Sequence, residues 1–197
     1  MRPIFCVIDG IDGAGTTTHS KLLVHYLENR GIKTHLTQEP SHNPIGLLIR
    51  NILKDENVPP ATDALLFAAD RNLHYHNEIR KKLDEGYTVI SDRYIESSII
   101  YQSLQSKDIT IDWVKSINKF VGEADLTIIL DIDPRISLKR KKKQDLEKFE
   151  KTEFLAKVRN LYLERAKQNE YHVISSDDEI TIVQQKIKKI FSNILKE

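Results

Sequence analysis

Five short apolar runs punctuate the chain, and each is followed by a stretch whose apolar residues recur at helical spacing. The runs are Ile4–Asp9, Lys33–Thr37, Tyr87–Ser91, Leu126–Asp131 and Tyr171–Ser175. Short runs rich in β-branched residues, with little polar alternation, predict strands buried on both faces of a parallel sheet. Helices are predicted over Ser20–Leu27, around Ile45–Leu53, from about Ala61 to Glu85, around Glu96–Gln102, after Pro134, from Thr152 onward and over Glu179–Leu195. Pro59-Pro60 sets the start of the longest, whose core stripe is expected at Leu65, Leu66, Ala69 and Leu73. Strand and helix alternate throughout, which predicts βαβ units and an α/β fold: a five-stranded parallel sheet sandwiched by helices. There is no repeat, low-complexity segment or linker, so 1–197 reads as a single domain with room for a substantial core.

In such sheets ligands bind at the carboxyl ends of the strands. The first run leads into Gly10-Ile11-Asp12-Gly13-Ala14-Gly15-Thr16-Thr17-Thr18 and then a helix. Strand, glycine-rich turn and helix are the setting of a phosphate-binding loop, where backbone N–H groups and the helix N-terminus favour phosphate oxygens. Gly10, Gly15 and Thr17 match the Walker A pattern G-x-x-x-x-G-K-[ST], with Thr17 placed to reach Mg²⁺, but Thr16 stands where the lysine belongs. A glycine-rich turn without a ligand is the plain alternative.

The second run ends in Gln38-Glu39-Pro40, where Pro40 keeps Glu39 out of helical geometry. On the long helix, Phe67 lies off the middle of the core stripe with Arg71 one turn on; the pair suits stacking a base and holding its phosphate, although Phe67 taken alone reads as a core residue. His74 and His76 are two apart and point different ways, which argues against a shared metal. The third run ends in Asp92-Arg93-Tyr94, a carboxylate for Mg²⁺ and a guanidinium for phosphate, or a structural ion pair. Ser97 and Tyr101 then share a helical face that could line a pocket. The basic cluster Lys139–Lys143 is either a solvated face or part of a lid, about 139–151, that closes cations over phosphates.

Composition narrows the classes. Thirty Lys+Arg against 29 Asp+Glu leave a formal net charge of +1, and the lysine cluster has no interleaved aromatics, so nucleic acid is not an expected partner. No apolar stretch approaches the length of a membrane span and no signal-peptide pattern opens the chain; a cytoplasmic protein without membrane contact is the expectation. The single Cys6 falls in the first strand, where a packing role is expected.

Together these segments resemble the thymidylate kinase family of P-loop nucleoside monophosphate kinases over nearly the whole chain. The resemblance rests on Asp9–Thr18, Glu39-Pro40, Leu65-Leu66-Phe67-Ala68-Ala69-Asp70-Arg71, Asp92-Arg93-Tyr94 with Ser97-Ser98 and Tyr101-Gln102, and Lys148-Phe149-Glu150. It implies a P-loop NTPase fold and in-line transfer of the ATP γ-phosphoryl group to dTMP, with Mg²⁺, by positioning and charge neutralisation. Gly10, Ile11, Asp12, Gly13, Ala14, Gly15, Thr16, Thr17 and Thr18 would hold ATP, and Thr17 and Asp92 the metal. Phe67 would stack on thymine, Arg71 and Arg93 bind the acceptor phosphate, Tyr101 crowd the sugar 2′ position and Asp12 contact the 3′-hydroxyl region, with Glu39, Arg50 and Ser98 completing the acceptor site. Asp12, Arg93, Arg140 and Lys141 would serve the chemistry, and a homodimer is expected. Gly13 sits where some members place an arginine, and members without it carry basic lid residues, as here.

Three positions depart from the family: Thr16 for lysine, Gln38 for an arginine before Glu-Pro, and Lys148 for an arginine near the lid's end. The first motivates a hypothesis that Arg140 or one of Lys141–Lys143 replaces the missing lysine. Thr16 and Gln38 keep open a nucleotide-binding protein with little or no transfer activity, and the aromatic platform at Phe67 keeps open a kinase for dUMP or another pyrimidine nucleoside monophosphate.

Overall fold

The computed structural model describes residues 2–53, 55, 57–140 and 152–194. Five strands, β1 (Phe5–Gly10), β2 (Thr34–Gln38), β3 (Thr88–Asp92), β4 (Leu126–Asp131) and β5 (His172–Ser175), form one parallel sheet in the order β2-β3-β1-β4-β5. Each lies on its predicted run, shifted by at most one residue. The central strand is buried at every position, because successive side chains of a strand point to opposite faces and both faces are covered. Ile4, Cys6 and Ile8 pack on one side with Leu23 and Leu27 of α1 (Thr16–Glu28) and with α8 (Thr152–Gln168) and α9 (Ile180–Ile194). Phe5 and Val7 pack on the other with Ile79 and Tyr94, the Phe5 and Tyr94 rings meeting edge to face at 5.0 Å. Cys6 is wholly buried, and burial pushes its thiol well above the usual range, so it acts as a small core residue.

The remaining helices are α2 (Pro44–Ile52), α3 (Pro60–His74), α4 (Arg80–Asp84), α5 (Ile95–Gln105), α6 (Ile111–Ile117) and α7 (Pro134–Arg140). The long helix expected over 61–85 is α3 and α4 joined by a π-helical turn at Tyr75–Ile79. Its expected core stripe is corrected: Leu65 is 52% and Leu73 36% exposed, and Ala69 is exposed between them. The buried face carries Ala64, Ala68, Asp70, Arg71 and His74 instead. The physical reason is that this face abuts a polar network at the ends of β2 and β3 rather than the apolar core; Asp70, for example, accepts from Ser41 N at 2.7 Å and Ser41 Oγ at 2.6 Å. Among the described residues no helix is long and apolar enough to cross a membrane.

Candidate active site

The loop after β1 curls tightly, Ala14 N donating to Ile11 O at 3.0 Å. Gly13 and Gly15 hold φ of 80° and 94°, a region side-chain-bearing residues rarely enter. A Cβ on Gly13 would also lie 2.6 Å from the carbonyl oxygen of Ser137, so α7 rests directly on this loop and leaves no room for an arginine there. Helix α1 starts at Thr16 with no side-chain cap and no acidic residue in its first turn, which leaves its N–H groups and positive dipole end for an anion. They face a cavity of about 640 Å³ bounded by Asp12–His19, Arg93, Arg140, Ser176 and the start of α9.

Thr16 is nearly buried and places no cation in this cavity. Among the described lining residues the arginines are Arg93 and Arg140. Arg140, at the end of α7, donates to Ser176 O at 3.0 Å and lies 3.9 Å from Asp177, on the β5–α9 connection. Lys141–Lys143, Lys148 and the rest of the expected lid lie outside the described residues. Burial lowers the pKa of His19 and the nearby Arg140 charge lowers it further, against a 2.9 Å bond to Gln184 that raises it.

A narrow second cleft opens beside the first, lined by Phe67, Arg71, Ser98, Tyr101 and Gln102, and it shares Asp12 and Arg93 with the phosphate-loop cavity. Arg93 sits at φ 71°, an unusual conformation for a bulky residue that turns its side chain back over the loop. Its Nη1 donates to Gly10 O and Ser97 Oγ, both at 2.9 Å, and its Nη2 to Asp12 Oδ1 at 2.7 Å. It is not paired with Asp92, so the structural ion-pair reading of Asp92-Arg93 falls. Tyr101 OH donates to the other Asp12 oxygen at 3.2 Å. Phe67 is half-buried, lines the cleft and belongs to none of the apolar clusters of the described residues, which overturns its reading as a core residue.

Two expected acceptor ligands are engaged by the protein itself. Arg71 is 1% exposed; it donates from Nε to Glu39 Oε2 (2.8 Å), from Nη1 to Asn118 Oδ1 (2.7 Å) and from Nη2 to Ser98 Oγ (2.8 Å) and Tyr94 O (3.2 Å). Four of its five N–H groups are paired within the protein and its charge is matched by Glu39, so it floors the cleft as a braced guanidinium. Arg50 donates to the carbonyl oxygens of Pro40 and Ser41, so it braces the Glu39-Pro40 loop and does not line the cleft.

At the ends of β1 and β3, Thr17 Oγ1 donates to Asp92 Oδ2, while Asp92 Oδ1 is buried without a hydrogen-bond partner among the described residues. A hydroxyl and a carboxylate with an unsatisfied oxygen fit Mg²⁺, a hard cation that prefers oxygen ligands. Among the described residues no three His, Cys, Asp or Glu converge as a metal cage, so such an ion would take its other ligands from phosphate and water.

Several residues of this assembly were given no role by the sequence. Asp9, fully buried with its pKa pushed up by burial, accepts from Gly10 N (2.8 Å), Ser97 Oγ (2.7 Å) and Tyr162 OH (2.7 Å). Tyr162 lies on α8, and Asn118 beyond α6. Gln102 has a buried Oε1 with no hydrogen-bond partner among the described residues, at the cleft wall.

This geometry, a phosphate loop and a second cleft joined by one arginine, can be set against known proteins. A family model described as thymidylate kinase matches residues 8–187. The chain belongs to the thymidylate kinase family. It is similar to the probable thymidylate kinase of Pyrobaculum aerophilum, 47% identical over 87% of this chain and 88% of that one. The probable thymidylate kinase of Caldivirga maquilingensis is 40% identical over 94% and 95% of the two chains, and that of Pyrococcus horikoshii 41% identical over 84% of each. As a member of this kinase family the chain is a transferase acting on nucleotides.

Proposed function

We propose that this chain transfers the γ-phosphoryl group of ATP to dTMP, giving dTDP and ADP. The observation that carries the reading is Arg93, which borders both cavities and so would meet donor and acceptor phosphates together. The acceptor phosphate oxygen attacks the γ-phosphorus in line, and the bond to the ADP oxygen breaks as the new one forms. Arg93, held by Asp12, Gly10 O and Ser97, offers positive charge where the transferred group passes, with little reorganisation. The loop N–H groups cradle the donor phosphates. Thr17 and Asp92 would hold a Mg²⁺, which when bound supplies neutralisation of the phosphate charge.

In the second cleft Phe67 offers a face for the thymine, and Gln102 Oε1 an acceptor for a base N–H. Tyr101, fixed to Asp12, crowds the sugar and favours a deoxyribose. Thr16, with Gln38, favours the second reading, binding without efficient transfer, since loss of one preorganised donor to a developing anion costs about 10²–10³ in rate. Arg140, together with Lys141 beyond the described residues, is proposed to supply lid charge to the donor phosphates. A cytoplasmic homodimer belongs to the same reading; the exposed Leu47 and Leu48 of α2 and Leu65 and Leu73 of α3 are an apolar surface of the kind a second copy covers.

Incubation with dTMP, Mg²⁺ and ATP labelled at the γ-phosphorus tests transfer directly. Label recovered in dTDP supports the kinase. Saturable dTMP binding with no labelled dTDP would move the assignment to nucleotide binding.

A further inference from the structure

The sequence sets His74 aside once a shared metal with His76 is rejected, yet the structure buries it behind Glu39, which lines the acceptor cleft. Its side chain is 0% exposed. Nδ1 lies 3.2 Å from Glu39 Oε1, and Nε2 lies 2.6 Å from Thr37 Oγ1 and 3.7 Å from Glu78 Oε2. The opposite oxygen of Glu39 takes Arg71. One buried carboxylate therefore stands between two nitrogen bases, and its Arg71 side is the cleft floor. His74 also ends α3 where the π turn begins, the turn that carries Glu78; such turns often mark functional positions.

We propose that His74 is a positioning residue of the acceptor site: its ring clamps Glu39 from the side away from Arg71 and so fixes the guanidinium on which the base and sugar of dTMP rest. The inference builds on the dTMP reading of that cleft. Every charged group facing the ring bears on it: Glu39 from the β2 loop, Glu78 from the π turn, Arg71 across Glu39, and His35 of β2, which holds the far oxygen of Glu78 at 2.9 Å. Burial alone would discharge the ring, but the hydrogen bonds and charges of Glu39 and Glu78 outweigh it and raise its pKa to about 9. The clamp is thus charged through neutral pH and is lost as pH rises through about 9.

The test is steady-state kinetics of His74→Gln and Glu78→Gln against the natural chain from pH 6 to 10. Glutamine keeps one N–H for Glu39 but no charge. We expect His74→Gln to raise KM for dTMP roughly tenfold, the scale of one charge-assisted hydrogen bond, with kcat and KM for ATP changed by less than about twofold. The natural chain should hold KM for dTMP steady up to pH about 9 and lose affinity above it, while His74→Gln shows no such break. Glu78→Gln, at a partly exposed side chain, removes one of the two carboxylates that keep the ring charged and should move the break to lower pH. It also serves if His74→Gln fails to fold. A KM for dTMP indifferent to His74, or a break that Glu78→Gln leaves in place, overturns the clamp while leaving the kinase reading intact; absence of dTMP turnover by the natural chain overturns that reading itself.

Discussion

A threonine at position 16 changes what the neighbouring charges must do. With no amine on the loop, Arg93 is the one described cation bordering both cavities. Arg93→Ala should cost about 10²–10³ in kcat/KM, the usual effect of deleting a preorganised donor. Arg93→Lys should recover only part, because an ammonium keeps the charge but cannot bond Gly10 O, Ser97 and Asp12 as a fork. Comparable kcat/KM for both variants would remove geometry from the account. Thr16→Lys should change kcat by less than about tenfold; a gain of 10²–10³ would show the natural loop to be handicapped and would favour the binding-only reading. At the proposed metal position, Asp92→Asn takes away the carboxylate charge and should raise the Mg²⁺ concentration needed for half-maximal turnover, read from a Mg²⁺ titration at fixed ATP.

At the scale of elements, two contacts hold the phosphate loop from outside. Helix α7 lies against Gly13 through the Ser137 carbonyl. Gly13→Ala should therefore lower both melting temperature and turnover, since it adds a left-handed backbone cost of about 1–2 kcal/mol to a clash with backbone that has no rotamer to yield. Helix α8 reaches the end of β1 through Tyr162, whose hydroxyl donates to Asp9. Tyr162→Phe leaves a buried carboxylate short of a donor, at a cost of about 1–3 kcal/mol, and calorimetry should show melting lower by about 2–4 °C per kcal/mol.

These contacts also mark what the sequence could and could not display. Strands β1, β3 and β4 were legible because burial on both faces forces a continuous apolar run, as in Phe5-Cys6-Val7-Ile8. The loop, Asp92-Arg93 and Phe67-Arg71 were legible because each is a local pattern at a strand end or on one helix turn. The face of α3 was misread because leucines at helical spacing normally face a core, and here the core-side positions went to Arg71, Asp70 and His74. The protein partners of Arg71 and Arg50 were not legible, because charge is visible in a sequence and its partners are not. Glu39 lies 32 residues from Arg71, and Tyr162 153 from Asp9, so nothing local announces either pair.

For the whole molecule, the corrected α3 face has a consequence. Leu65, Ala69 and Leu73 make a solvent-facing stripe on α3, and Leu47 and Leu48 lie on the adjacent α2. Light scattering should return twice the 22.8 kDa chain mass, and Leu65→Asp with Leu73→Asp should return the single-chain mass. A monomer in the natural chain would leave this stripe without its second copy. The proposed function requires one acceptor to be preferred in a site whose loop carries Thr16 in place of a lysine. The most direct measurement is ADP formation from ATP and Mg²⁺ with dTMP, dUMP, dCMP, dGMP, ribo-TMP and UMP offered in turn. The highest kcat/KM is expected for dTMP, with ribo-TMP disfavoured by Tyr101; equal rates across the panel, or none with any acceptor while dTMP still binds, would contradict the dTMP kinase reading.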